Sequence, residues 1–185
     1  MKTKHIIYAL LFLIVLSVQR CQCKKDDPIP APVPQPIPCD TCLPAITTSG
    51  KNTFGCRVNG IVWLPLGGGF NPGQWVEYFD QHLIVHGYND DKGQWINLDV
   101  YPIIDTGRYV FYTPILKVQW ADYLNAKTNI DYYADTIYKG YINVLRFDSV
   151  KGLMSGTFEF DVYDKYHKHN NDTIHITDGR FDLHL

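Results

Sequence analysis

Apolar and polar residues alternate over much of the second half of the chain, which is the pattern of β-strands with one buried face. In the clearest stretch, 154–162, every second residue is apolar or glycine and the residues between them are polar. Further stretches of this kind are 82–88, 95–100, 173–177 and 180–185. Asn59-Gly60 lies between two apolar runs, which is typical of a tight hairpin with a type I′ turn.

One segment also has the spacing of a helix, because Leu116, Trp120, Tyr123 and Leu124 could share one helical face. The segment contains Val118 and could equally form a strand, so both interpretations stay open. About nine strands with one buried face each predict an all-β fold, a single antiparallel β-sandwich or barrel.

The composition supports one folded domain and excludes some partners. The 185 residues are 45% hydrophobic and 14% aromatic, which is too apolar for a disordered chain. The formal net charge of −2 provides no general attraction for nucleic acid.

The first residues have the features of a secretory signal peptide. Lys2 and Lys4 precede an apolar run over 6–16, which is too short to span a bilayer. A Cys directly behind such a segment resembles the lipidated residue of bacterial lipoproteins. The segment Lys24-Lys25-Asp26-Asp27 resembles the surface-export signal of Bacteroidota lipoproteins, and its position favours Cys23 over Cys21 as the lipidated residue. The resemblance implies an outer-membrane lipoprotein in the periplasm or on the cell surface.

A proline-rich segment follows, with Pro at every second position of 28–38. It predicts a polyproline-type spacer about 30 Å long. A docking ligand for a Pro-binding partner is the alternative interpretation. The predicted organisation is a signal peptide over 1–22, a lipidated Cys and tether over 23–48, and an antiparallel β domain over 49–185.

Three blocks of the chain, 52–63, 155–161 and 174–182, resemble a family of Bacteroidota lipoproteins. Their sequences are NTFGCRVNGIVW, SGTFEFD and IHITDGRFD. The likeness spans most of 44–185, although 65–140 matches nothing recognisable. It implies an all-β domain behind a lipid anchor and implies no activity.

Cys39 and Cys42 form a C-x-x-C motif, which can be a disulfide, a redox pair or part of a metal site. An exported protein sits in an oxidising compartment, so a structural disulfide is favoured. Cys56 alternates with apolar neighbours and is expected to be a small buried side chain. A Cys42–Cys56 bridge is the alternative pairing.

The chain has no recognisable catalytic or cofactor motif. His82 and His86 would share a strand face about 13 Å apart, too far for one metal ion. No serine lies in a nucleophile-elbow motif, and Gly67-Gly68-Gly69 lacks the lysine of a phosphate loop. We therefore predict no enzyme activity, no metal and no cofactor. The alternatives are an envelope hydrolase with a site of scattered Asp, His and Tyr, and a β-barrel that carries a small apolar ligand.

The remaining prediction is a non-catalytic binding or interaction module whose partner is a glycan or a surface protein. The loop 66–75 combines three glycines with Phe70 and Trp75. We expect both rings to lie exposed at one end of the domain, as contacts for a ligand. In the alternative, Trp75 folds back over the edge of the core.

Overall fold

The computed structural model describes residues 42–111, 119–134, 140–164 and 173–185. These residues form strands and loops and contain no helix. Eleven strands lie in one sheet, and every pair is antiparallel, which confirms the all-β prediction. The strands are β1 (Thr53–Val58), β2 (Ile61–Trp63), β3 (Gln74–Phe79), β4 (His82–Asn89), β5 (Gln94–Val100), β6 (Gly107–Phe111), β7 (Gln119–Asn125), β8 (Ile130–Tyr133), β9 (Gly140–Asp148), β10 (Leu153–Asp164) and β11 (Thr173–His184).

The strand order is β2-β1-β11-β10-β8-β7-β5-β4-β3, with a side branch in which β9 pairs with β10 and β6 pairs with β9. Strand β10 has 12 residues and therefore reaches both branches. Its residues 153–160 pair with β9, whereas Tyr163 and Asp164 at its end pair with β8. This long strand joins the two halves of the sheet.

Two local predictions are settled by the backbone. Asn59 and Gly60 connect β1 and β2 with φ angles of 50° and 80°, and both are positive, as a type I′ turn requires. The segment with ambiguous spacing is strand β7 over Gln119–Asn125, while Leu116 lies outside the described residues.

Residues from both halves of the sheet share one core. The Phe54 ring of β1 lies 5.3 Å from the Phe158 ring of β10. It also covers Gly87 of β4, where a Cβ atom would lie 2.7 Å from the ring. On the other side, the Tyr78 ring of β3 meets the Phe147 ring of β9 edge-on at 5.2 Å. The sheet therefore bends over itself and encloses its apolar side chains.

The segment before β1 is bound to the last strand. Asp182 of β11 is 1% exposed and accepts hydrogen bonds from the hydroxyl of Thr47 and from three successive backbone amides over 49–51. Arg146 donates to the carbonyl of Thr48 and Arg180 to that of Pro44. Residues Cys39–Leu185 form one compact unit, so this segment belongs to the folded part of the chain.

Candidate ligand-binding face

Five neighbouring strands, β3, β4, β5, β7 and β8, send every second side chain into the core and the others to the opposite side of the sheet. We call that opposite side the aromatic face. Three of the four tryptophans lie on it, and Trp63 is in the core. The aromatic face consists of Trp75, Glu77, Phe79, His82, Ile84, His86, Tyr88, Trp95, Asn97, Asp99, Tyr101, Trp120, Asp122, Leu124, Asp131 and Tyr133.

Four stacked rings form a first cluster at one end of the aromatic face. The Trp75 ring stacks on His86 at 4.4 Å, and the Tyr88 ring stacks on Trp95 at 4.0 Å. Trp75 and Trp95 meet edge-on at 6.1 Å, which joins the two stacks. The indole Nε1 of Trp75 donates to Glu77 Oε1 over 2.9 Å. Packing and a polar contact thus fix the orientation of the Trp75 ring.

A second cluster lies at the other end, and a carboxylate holds it together. His82 stacks between Tyr101 at 4.2 Å and Phe79 at 5.4 Å. Asp99 lies 3.3 Å from Nδ1 of His82 through one oxygen and accepts from Nε1 of Trp120 over 2.9 Å through the other. Since both oxygens are engaged, Asp99 is a positioning residue for these rings.

A polar row extends from His86 of the first cluster across β4, β5 and β7. Nδ1 of His86 donates to Oδ1 of Asn97 over 2.8 Å, and Nδ2 of Asn97 donates to Oδ1 of Asp122 over 2.7 Å. Burial raises the pKa of Asp122 to about 7, against the lowering effect of the hydrogen bond from Asn97. The nearby carboxylate of Asp131 raises this pKa further. Asp122 is therefore a carboxyl group whose charge the free protein compensates poorly.

The charges on the aromatic face have one sign. Its five strands contain no Lys and no Arg, but they carry the carboxylates of Glu77, Asp99, Asp122 and Asp131. Nε2 of His86 is buried and lacks a hydrogen bond within the described part of the chain, with Glu77 Oε1 at 3.6 Å. The face therefore offers more hydrogen-bond acceptors than donors.

The two predicted contact residues occupy different places. Phe70 is fully exposed at the tip of the loop between β2 and β3, where Gly68 and Asn71 exchange two backbone hydrogen bonds. Trp75 belongs to β3 and is half-buried on the aromatic face. Its ring packs on His86, so it neither projects from the loop nor folds over the core.

Cys42 is disulfide-bonded, whereas Cys23 and Cys39 lie outside the described residues. Cys56 is a free, buried thiol in β1, so the alternative Cys42–Cys56 bridge is wrong. Burial raises the pKa of Cys56, which keeps this thiol protonated and unreactive. Its position agrees with the expected small core side chain.

Two searches of the described residues gave negative results. No three His, Cys, Asp or Glu side chains there are grouped closely enough to hold a metal ion. In the same residues, no helix is long and apolar enough to cross a membrane.

The sequence pattern identifies only Trp75 of the aromatic face as a candidate contact residue. The alternation over 82–88 and 95–100 predicts the strands, but it does not mark their non-core residues as a site. The available signal was their composition, because Trp, Tyr, His, Asn and Asp occupy positions that Lys, Glu and Thr commonly fill on a solvated sheet.

Comparisons with known proteins give no relative. No protein-family model, no curated protein and no solved structure matches this chain. These observations therefore define the protein by its fold class alone, which is all-β with one large antiparallel sheet.

Proposed function

We propose that this protein is a non-catalytic binding module, anchored to the outer membrane through a lipid on Cys23, and that its aromatic face binds a sugar chain. The observation that carries the proposal is the presence, on one face of the sheet, of two aromatic clusters and the polar row of His86, Asn97 and Asp122. The basic start, the apolar run and the resemblance of 24–27 to an export signal support the anchor.

The chemistry of the aromatic face suits sugars. A sugar ring has an apolar side that packs on an aromatic ring, and its hydroxyl groups can both donate and accept hydrogen bonds. The carboxylate, amide and imidazole groups between the clusters supply partners for those hydroxyls. The clusters lie about 13 Å apart along β4, judged from the separation of four positions between His82 and His86. This length fits an oligosaccharide better than a single sugar.

We further propose an open sandwich rather than a closed barrel. Strands β2 and β3 end the pairing order, and within the described ranges they do not pair with each other. The enclosed volume contains large, fully buried side chains, including Trp63, Phe111 and Phe158. Both features favour a ligand on the outer face over an apolar ligand carried inside.

A hydrolase remains the second candidate, and one observation favours it. The aromatic face brings together two pairs of histidine and carboxylate, His82 with Asp99 and His86 with Glu77. Such pairs can serve in general acid–base catalysis. Incubation of bound oligosaccharides with the protein, followed by mass spectrometry, distinguishes the two functions, since the proposed module leaves them intact.

Substitution of the first cluster tests the binding surface. Trp75→Ala and Trp95→Ala should each weaken binding of oligosaccharides selected from a glycan panel by about tenfold, which is the loss of about 1.4 kcal/mol of contact energy. Isothermal titration calorimetry gives the affinities. Tyr141→Ala is the matched control, because this half-buried ring lies on β9 under the guanidinium of Arg108, away from the aromatic face. Phe70→Ala reports whether the loop tip contributes as well.

Equal affinities for the Trp75, Trp95 and Tyr141 variants would contradict the placement of the ligand. Loss of binding in Phe70→Ala alone would move the site to the loop. Circular dichroism of each variant verifies that the sheet is retained.

The anchor has its own test. Mass spectrometry of the protein purified from its native membrane should show an N-terminal peptide that begins with acylated Cys23. An acylated Cys21 would shift the cleavage position, and an unmodified peptide that reads through Arg20 to Lys24 would overturn the lipid anchor.

A further inference from the structure

The aromatic face has a strongly one-sided arrangement of charge. Glu77 is half-exposed beside the first cluster, and Asp122 ends the polar row on β7. The five strands of the face carry no Lys or Arg that could neutralise them. The face is therefore negative where rings and polar groups converge.

The hydrogen bonds among the described residues leave part of this acceptor capacity free. A carboxylate has about four acceptor positions. Asp122 accepts from one amide of Asn97, and Glu77 accepts from the indole of Trp75. Asp99 differs, since its two oxygens already contact His82 and Trp120. Glu77 and Asp122, which lie next to the first cluster and in the polar row, thus have acceptor positions left for a ligand.

The raised pKa of Asp122 also favours a cationic ligand over an anionic one. Burial and the neighbouring Asp131 oppose ionisation, and no Lys or Arg is among the causes of its shift. A cation brought by a ligand would favour the ionised carboxylate, whereas an anion would disfavour it. Aromatic rings around the carboxylates also attract cations through their negative faces.

We propose that the aromatic face selects its sugar chain by charge, and that it prefers chains with free amino groups to neutral chains and rejects chains with acid groups. This inference rests on the proposed function, since it names the class of sugar that the same face binds. One ammonium group of the chain lies against Glu77 and another against Asp122, three strands away, while the sugar rings pack on the two aromatic clusters.

Three ligands matched in length and linkage test the inference. They are β-1,4-linked tetramers of glucosamine, of N-acetylglucosamine and of glucuronic acid, titrated into the mature protein at low salt and about pH 7, where Asp122 is partly ionised. We expect the glucosamine tetramer to bind about tenfold more tightly than the N-acetylated one. The glucuronic acid tetramer should bind at least tenfold more weakly than the N-acetylated one. Added salt should reduce these differences, because exposed charges are screened.

Two isosteric variants identify the source of the preference. Glu77→Gln and Asp122→Asn keep the shape of the side chains and remove their charge. Combined, they should reduce the preference for the free-amine tetramer over the N-acetylated one from about tenfold to about twofold. Asp161→Asn is the control, since this carboxylate lies on β10 and pairs with His175, outside the aromatic face.

The outcomes separate the two proposals. Equal binding of the free-amine and N-acetylated tetramers, or binding of the acidic tetramer as tight as the neutral one, overturns charge selection and leaves the sugar-binding function standing. A preference that survives in the Glu77/Asp122 double variant also overturns charge selection by these residues. Absence of binding by all three tetramers overturns the proposed function, and charge selection with it.

Discussion

Replacement of Asp182 by alanine is expected to lower the free energy of unfolding by about 3 kcal/mol, because it removes a buried acceptor and leaves its donors without a partner. The carboxylate receives the Thr47 hydroxyl at 2.6 Å and the amides of Ser49, Gly50 and Lys51 at 3.0, 2.7 and 3.1 Å. It is the main polar connection between the segment before β1 and strand β11. Urea unfolding of the variant and the wild type measures the difference.

Asp182 should also make the stability of the folded state depend on pH, with less stability in acid. Burial alone would raise the pKa of Asp182, but the hydrogen bonds from Thr47, Gly50, Lys51 and Ser49 outweigh it and hold the pKa below its ordinary value. A carboxyl group with a lowered pKa stabilises the folded state above its unfolded pKa, which is about 3.9. This contribution is lost as the pH falls below about 4 through the folded pKa. Asp182→Asn should lack this acid-labile part of the stability.

Asp178→Asn is the matched control for Asp182→Asn. Asp178 lies on the same strand with a half-exposed carboxylate that pairs with Arg57. Asparagine also tolerates the positive φ of 53° at this position. The control should change stability by less than about 0.5 kcal/mol, as exposed ion pairs contribute little. Equal losses in the two variants would contradict the role assigned to Asp182.

Replacement of Phe158 by alanine should have the largest effect on stability, a loss of about 4 kcal/mol, because the change opens a cavity in a packed core. The Phe158 ring is fully buried and lies 5.3 Å from that of Phe54 and 6.1 Å from that of Phe160. It covers Gly179 so closely that a Cβ atom there would have no room. Removal of the ring therefore leaves backbone and aromatic surfaces without contacts.

Phe70→Ala applies the same chemical change to a fully exposed ring and serves as the control. Its effect on the free energy of unfolding should stay within about 0.5 kcal/mol. A loss below 1.5 kcal/mol in Phe158→Ala would show that the core around β10 and β1 is packed more loosely than described here.

The fold class could be predicted from local signals in the sequence, namely turn residues and the alternation of apolar and polar positions. The Asn59-Gly60 turn requires positive φ angles that few residues adopt, so its sequence specifies it strongly. The alternation over 154–162 likewise defines one buried face of β10. The predicted loop 66–75 includes the first two residues of strand β3, since Pro72 and the glycines before Trp75 dominate the local pattern. Pairing with β4 outweighs that local tendency.

The candidate site depends on contacts that no local pattern contains. Trp75 and His86 become neighbours through the register of β3 and β4, and Asp99 meets Trp120 only because β5 pairs with β7. Those partners are 11 and 21 residues apart in sequence. The Asp80-Gln81 turn that fixes the first register lacks the Asn-Gly or Asp-Gly signal, and β6 lies between β5 and β7 in the chain. The sequence therefore supplied the residue types, whereas strand pairing assembled them.

The four indole groups allow the most direct test of the binding face. In a ¹H–¹⁵N spectrum each tryptophan side chain gives its own signal, which is assigned by single Trp→Phe variants. Addition of the glucosamine tetramer should shift the signals of Trp75, Trp95 and Trp120, which lie on the aromatic face. The signal of Trp63 should stay in place, because its ring is 1% exposed and its Nε1 donates to Gln94. Unchanged signals for the three surface indoles in a protein saturated with ligand would contradict binding at this face.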